Sequence, residues 1–316
     1  MNKSNKKYSL GKLGKEFLEW SERVPVAKIP AGVAKEGAGE KRIPFAHLAN
    51  SVPVYLTLTQ LIRESDKTKG KVLDIGCGTG RSIAFVKENM GKKDMKYWAV
   101  DYAKACIDYA KAQYGDRYGI NYSQHDGQDI PFESGMFDFI ISSHVLEHIP
   151  RGGEKKYFAE ISRLLKKGGV AVIGTPNRRY NQDLFHANPE DEPEYRLVLP
   201  HHHEYGRLEL GALLKANNWF SSFEINQTYN KINRKLMKES IGKIKPREGW
   251  LNQIKFRCYQ VLRKNPRLQD IMAKWGTEYV LRKMKVNYDD LIGATDYITG
   301  SKASDIGDDF IIIAAK

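Results

Sequence analysis

Eight residues constrain this chain more than any others: Leu73-Asp74-Ile75-Gly76-Cys77-Gly78-Thr79-Gly80. A buried-strand pattern, Lys71-Val72-Leu73-Asp74-Ile75, runs straight into glycines at three alternate positions, and an amphipathic helical pattern starts near Arg81. Glycine lets the backbone turn sharply and lets a ligand approach where a Cβ would collide. The helix that follows offers unsatisfied N–H groups to an anionic ligand group. Twenty-one residues after Gly80, Asp101 ends the next strand pattern, where a carboxylate can accept both hydroxyls of a ribose. The dinucleotide fingerprint would put a glycine at position 81, where the chain has Arg81, and no Gly-Lys-Ser/Thr follows as a P-loop requires. The loop therefore suits a nucleoside ligand without a pyrophosphate.

Around this loop, strand and helix patterns alternate. Further strands are expected at Tyr97-Trp98-Ala99-Val100-Asp101, Asn121-Tyr122-Ser123, Phe137 to Ser142, Val170-Ala171-Val172-Ile173, Phe220 to Ile225 and Phe310 to Ala314. Helical spacing covers residues 43–63, 103–114, 155–166 and 207–216, with Gly168-Gly169 expected to close the third of these. This alternation argues an α/β fold with a doubly wound, mostly parallel sheet of seven strands. Residues 1–42 read as a basic N-terminal arm with one amphipathic turn at Leu13, Phe17, Leu18 and Trp20. Residues 43–226 and 306–316 form the α/β domain. Residues 227–305 read as a helical insertion before the last strand, since a loop of that length without structure would be implausible.

Charge is unevenly placed. Of the net +13, residues 231–290 carry +10 and residues 1–42 carry +5, which leaves the rest of the chain at about −2. Such a field recruits anionic partners or is simply a solvated surface. With 41% apolar and 28% charged residues the composition is that of a globular protein. No apolar run reaches transmembrane length and no signal-peptide core follows the basic start, so a cytoplasmic setting is expected. Cys77, Cys106 and Cys258 have no metal-ligand spacing and are expected as free thiols.

Four segments, in order from about residue 70 to 177, resemble the class I S-adenosylmethionine-dependent methyltransferases. Residues 72–80 resemble their first motif and His125-Asp126-Gly127-Gln128-Asp129-Ile130-Pro131-Phe132 their adenine-side motif. The run from Phe137 to His148, which includes Ser143-His144-Val145-Leu146-Glu147-His148, resembles the fourth-strand motif of the subgroup with the ubiquinone-type O-methyltransferases. Leu165-Lys166-Lys167-Gly168-Gly169 with Thr175-Pro176-Asn177 resembles the turn into the fifth strand. The resemblance implies a Rossmann-like domain and S-adenosyl-L-methionine as cofactor. It further implies that Asp74, Gly76, Gly78 and Gly80 border the methionine moiety, and that Asp101 holds the ribose with Tyr102 beside the adenine. Asp126 would accept from the adenine amino group, the Gly127 N–H would meet the ring, and the Ser143 carbonyl would lie near the sulfonium. Gly127 departs from the hydrophobic or alanine residue common at that position.

Three histidines are the candidates for catalysis. His144 and His148 follow the fourth strand, where a neutral imidazole could take a proton from a hydroxyl acceptor. His203 lies in His201-His202-His203-Glu204-Tyr205, which resembles a His-x-Arg-Glu-Tyr element of glycan and small-molecule methyltransferases. Adjacent residues cannot easily bring several donors to one ion, so no metal site is expected. Arg178 and Arg179, after the fifth strand, could hold an anionic acceptor group. The reading is methyl transfer to an oxygen of an anionic small-molecule, glycan or lipid-linked acceptor, with peripheral membrane contact open. An RNA methyltransferase and a non-catalytic cofactor-binding protein are the rivals.

Overall fold

A computed structural model describes residues 13, 15–17, 19–20, 51–178, 201–230, 295–298 and 309–316. Its centre is an eight-stranded sheet in the order β3-β2-β1-β4-β5-β8-β6-β7. The strands are β1 (Lys69–Ile75), β2 (Asp94–Asp101), β3 (Ile120–Gln124), β4 (Phe137–Ser143), β5 (Leu165–Pro176), β6 (Ser222–Asn230), β7 (Thr295–Ile298) and β8 (Asp309–Ala315). β1 to β5 pair in parallel, while β8 runs antiparallel to both β5 and β6. The expected mostly parallel α/β sheet is present. β7, four residues long, adds an edge beyond β6, so residues 227–230 and 295–298 extend the sheet at the two ends of the expected insertion.

Helices cover both faces, and the period-2 alternation of the strands assigns each side chain to one of them. Val72, Tyr97, Ala99, Phe139, Ile141 and Val172 face a core built with α1 (Ser51–Glu64), α2 (Arg81–Glu88) and α3 (Lys104–Ala110). Leu73, Val100, Ile140, Ala171 and Ile173 face the opposite core, built with α4 (Glu154–Leu164) and α5 (Arg207–Ala216). The result is three layers with β1 and β4 at the centre.

One expectation is corrected. α4 ends at Leu164, and Gly168-Gly169 lie inside β5 rather than closing the helix. The β4–β5 register jumps between Phe137–Leu165 and Phe139–Val170, so the four intervening residues bulge out of the strand. Gly168 sits at φ +74, and the ladder is completed by Gly168 N–H to Lys316 O (2.8 Å) and Lys316 N–H to Gly169 O (3.1 Å). A glycine pair after a helical run reads as a cap from sequence, yet positive φ serves a bulge equally well.

The apolar side of the N-terminal segment belongs to the core. Leu13, Phe17 and Trp20 are helical and buried, the i, i+4, i+7 spacing placing all three on one face. Trp20 packs edge-on to Phe85 of α2 (5.7 Å), donates from Nε1 to Glu88 Oε2 (2.6 Å) and lies under the Arg81 guanidinium (5.8 Å). The segment thus braces the helix that follows the glycine loop. Trp20→Ala should cost about 3–5 kcal/mol, as deletion of a large buried ring does. Chemical denaturation of the two proteins measures it, and an unchanged midpoint would show the contact to be incidental.

The remainder of residues 1–50, with Leu18, and all of the basic 231–294 segment, with its expected helices, lie outside the described residues, as does Arg179. Among the described residues no helix is long and apolar enough to cross a membrane. Cys77 and Cys106 are buried.

Candidate active site

The carboxyl ends of β1, β2, β3 and β4 meet at one edge of the sheet. The Gly76 and Cys77 N–H groups donate to Val100 O (2.8 and 3.0 Å), and His125 N–H donates to Asp101 O (2.9 Å). These bonds tie the glycine loop and the 125–128 turn to the end of β2.

The loop glycines have separate reasons. At Gly76 (φ +80) a Cβ would lie 2.2 Å from Val145 Cγ2, and at Gly80 (φ +76) 2.7 Å from the Tyr122 hydroxyl, so packing requires glycine at both. A Cβ on Gly78 (φ +53) would meet nothing within 4 Å. That face of the loop is open, as a cradle for a ligand must be.

Asp101 is the loop's anchor. Its Oδ2 accepts from Gly78 N–H and its Oδ1 from Ala103 N–H, both at 2.9 Å, and a carboxylate has lone pairs for further donors. Tyr102 beside it is 76% exposed, a large ring standing in solvent without packing to explain it. Asp74 is fully buried at the end of β1. Tyr55 Oη donates to its Oδ2 (3.0 Å), while Oδ1 is buried with no hydrogen-bond partner. Burial pushes the Asp74 carboxyl up to about 8, with Asp101 adding to the rise and Tyr55 opposing it. Such an orphaned acceptor is costly unless a ligand donor satisfies it.

The other expected cofactor residues share this edge. The exposed Asp126 accepts from Gln128 N–H through Oδ1 (3.0 Å). Gly127 has φ +81 and would place a Cβ 3.3 Å from Ile75 Cγ2, which accounts for glycine where a larger residue is usual. Ser143 is buried and its Oγ has no hydrogen-bond partner. An orphaned carboxylate oxygen, an open glycine face, an anchored acid and an exposed ring together suit an adenosine-bearing, cationic amino-acid ligand.

Directly beyond β4 lies a second set of polar groups. His144 has φ +56, a conformation uncommon for a residue with a side chain, held by its N–H to Gly174 O (3.0 Å). Its Nδ1 is 3.1 Å from Glu147 Oε1, and its Nε2 is 4.0 Å from Asp309 Oδ1. Glu147 is completely buried, and Thr175 Oγ1 donates to its Oε2 (3.2 Å). Burial pushes the Glu147 carboxyl up, but the His144 hydrogen bond and the charges of His144, His148 and His201 outweigh it and hold it below its ordinary range. Glu147 is therefore ionised and accepts only, so His144 Nδ1 carries a proton and neutral His144 has its lone pair on Nε2. Val145, the next residue, is the one that packs on Gly76, so this dyad adjoins the glycine loop.

The three candidate histidines separate. His148 is the exposed last residue of a short turn, Leu146–His148, whose other two residues are buried. His203 is buried, with Arg151 Nη2 on its Nδ1 (3.0 Å) and Glu209 Oε1 on its Nε2 (2.7 Å). Both ring nitrogens of His203 are engaged in holding α5 to the site. Arg178 pairs with Glu209 (2.9 Å). Sequence reasoning missed Glu147, whose backbone carbonyl also accepts from His202 and His203 N–H (2.7 and 3.2 Å). The signal was present as a carboxylate between two histidines just past a buried strand.

Residues 72–169 match the family described as a methyltransferase domain. The chain is 31% identical over 141 residues to the ubiquinone biosynthesis O-methyltransferase of Coxiella burnetii, 44% of this chain and 56% of that protein. It is 30% identical over 138 residues to the biotin biosynthesis bifunctional protein of Cellvibrio japonicus, 44% of this chain and 24% of the relative. The chain thus spans about half or less of the length of these curated relatives. Among solved structures, phosphoethanolamine N-methyltransferase 2 of Haemonchus contortus is similar at 18% identity and a TM-score of 0.48, over 82% of this chain and 52% of that one. The matched segment, which is similar to a methyltransferase domain, is the one that contains the glycine loop, Asp101, Asp126 and the His144–Glu147 turn.

Proposed function

We propose that this protein is an S-adenosylmethionine-dependent methyltransferase that methylates an oxygen of a small-molecule, glycan or lipid-linked acceptor. The observation that supports it most is the buried Glu147–His144 dyad placed one residue from the contact between Val145 and Gly76. Asp74 and the glycine loop would hold the methionine end, Asp101 the ribose, and Tyr102, Asp126 and Gly127 the adenine. When bound, S-adenosylmethionine supplies an electrophilic methyl group on a sulfonium. The chain's own part is to bring the acceptor oxygen in line and remove its proton. Alignment alone accounts for much of such a rate, since effective molarities of oriented reactants reach about 10⁵ M or more. His144 Nε2 would take the proton, while Glu147 fixes the tautomer and stabilises the imidazolium that forms. The anionic character of the acceptor rests on the +10 charge of residues 231–290.

Calorimetry with S-adenosylhomocysteine tests the cofactor reading. We expect micromolar affinity, about 8 kcal/mol. Asp101→Ala should lose roughly 1–3 kcal/mol, because the ribose loses its acceptor and the Gly78 N–H its anchor. Tight binding of NAD with no response to S-adenosylhomocysteine would sink the assignment. A mass-spectrometric screen of extracts given labelled cofactor identifies the acceptor.

A further inference from the structure

The segments that meet beyond β4 bring two histidines that the methyl-transfer reading does not use, His148 and His201, up to the carboxylate of Glu147. Glu147, His148 and His201 each offer a donor atom, and these atoms all lie within 4.8 Å of one another. Two come from the turn after β4 and one from a segment more than fifty residues later. Their meeting is built by the backbone. The N–H groups of His202 and His203 both donate to the carbonyl of Glu147 and dock the second segment on the first. That sets the His201 ring edge-on to the His148 ring, with centroids 5.0 Å apart.

We propose that Glu147, His148 and His201 form a binding site for one divalent first-row transition cation at the acceptor edge of the sheet. Two imidazoles and a carboxylate favour zinc, manganese or a neighbouring metal over magnesium or calcium, which take oxygen donors. His201 is arranged as a metal-bound histidine is. Its Nδ1 lies 2.6 Å from Oε1 of the buried Glu204, which leaves Nε2 as the donor and fixes the ring. A cation about 2.1 Å from each donor needs adjacent donors roughly 3 Å apart. The exposed His148 supplies that closure by rotation, since Glu147 is immobilised by His144 and Thr175. Three protein donors leave a coordination position open, the pattern of a site that handles a ligand rather than one that only staples a fold. Only the identity of that ligand, an oxygen of the methyl acceptor, rests on the proposed function.

The test uses the full chain, stripped with chelator and dialysed, then titrated with zinc by calorimetry and with cobalt by visible absorption. One equivalent of each should bind, and cobalt should show the d–d bands of a nitrogen and oxygen environment. His148→Ala and His201→Ala should each weaken zinc binding by roughly 10-fold or more, and Glu204→Gln by about 10- to 100-fold through the ring it orients. His202→Ala, which alters an exposed side chain, should leave the affinity unchanged. S-adenosylhomocysteine binding by each variant shows that it is folded. His148→Ala, at the exposed position, remains decisive if His201→Ala does not fold. No stoichiometric zinc binding, or equal affinity in wild type and His148→Ala, overturns the site. Loss in His202→Ala without loss in His148→Ala would mark a surface histidine run and overturn it too. Failure of wild type to bind S-adenosylhomocysteine while zinc binds would count against the methyl-transfer reading and leave the metal site standing.

Discussion

His144→Asn should lower turnover by about 10²–10⁴-fold while leaving the affinity for S-adenosylhomocysteine nearly unchanged. The choice of Asn matters because His144 occupies φ +56. A residue with a side chain in that region is strained by about 1–3 kcal/mol, and Asn tolerates it better than Ala does. Asn also keeps a donor near Glu147 Oε1, so the buried carboxylate retains a partner. What is lost is the imidazole and its Nε2 lone pair. The measurement is the rate of methylated product formed with the acceptor found by labelled cofactor, beside a calorimetric titration of the same variant. Equal turnover in variant and wild type would mean that alignment suffices or that the proton leaves by another route. The strain gives an independent reason for choosing this histidine over its rivals. Non-glycine residues held at positive φ gather where function has fixed them, and His144 is one of three such residues with Asp129 and Asn218 among the described residues. His203, clamped between Arg151 and Glu209, should instead affect stability when replaced, because its change removes a buried ring that joins Arg151 to Glu209 of α5.

The parts of the site that were legible in the sequence are those whose residue types are forced locally. Gly76 and Gly80 can be nothing else at their φ and against their neighbours, and Asp101 ends a strand whose period is plain. Leu13, Phe17 and Trp20 declared a helical face, although the sequence did not say that α2 receives it. Two features were hidden for physical reasons. Gly168-Gly169 carry the same signature as a helix cap because both uses need only a residue free to take positive φ. β7 is four residues long, too short for alternation to stand out. The Glu147, His148 and His201 group was hidden in a deeper way. Neighbouring histidines at 201 to 203 argue against a shared ion when taken alone, and the structure does send His201 and His203 to different partners. What unites His201 with Glu147 is a pair of backbone hydrogen bonds between distant segments, which no local pattern encodes.

Asp74→Asn should weaken S-adenosylhomocysteine binding about 10- to 100-fold at pH 8.5, from loss of a hydrogen bond to a charged group worth about 1.5–3 kcal/mol. The loss should shrink toward pH 6.5. Burial pushes Asp74 up to about 8 in the ligand-free protein, so at pH 7 the carboxyl is mostly neutral. Its orphaned Oδ1 would receive the cationic ammonium of the ligand's amino-acid end, which draws the carboxylate into its charged form. Binding near pH 7 must then release a proton, and the wild-type affinity rises with pH until it levels off above about 8. The Asn side chain carries no proton to release, so its affinity lacks this slope. Stability runs in the opposite direction. A carboxyl with a raised folded pKa binds more protons when folded, so its contribution is complete below the unfolded pKa near 4 and is lost as pH rises through about 8. The ligand-free wild type should therefore lose up to about 1.4 kcal/mol per pH unit from this group over that window. Asp74→Asn should be less sensitive to pH and the more stable protein at pH 8.5. Titrations in two buffers of different ionisation enthalpy read the proton directly. Identical heats in both buffers, with parallel pH profiles for variant and wild type, would remove Asp74 from the ligand's charged end.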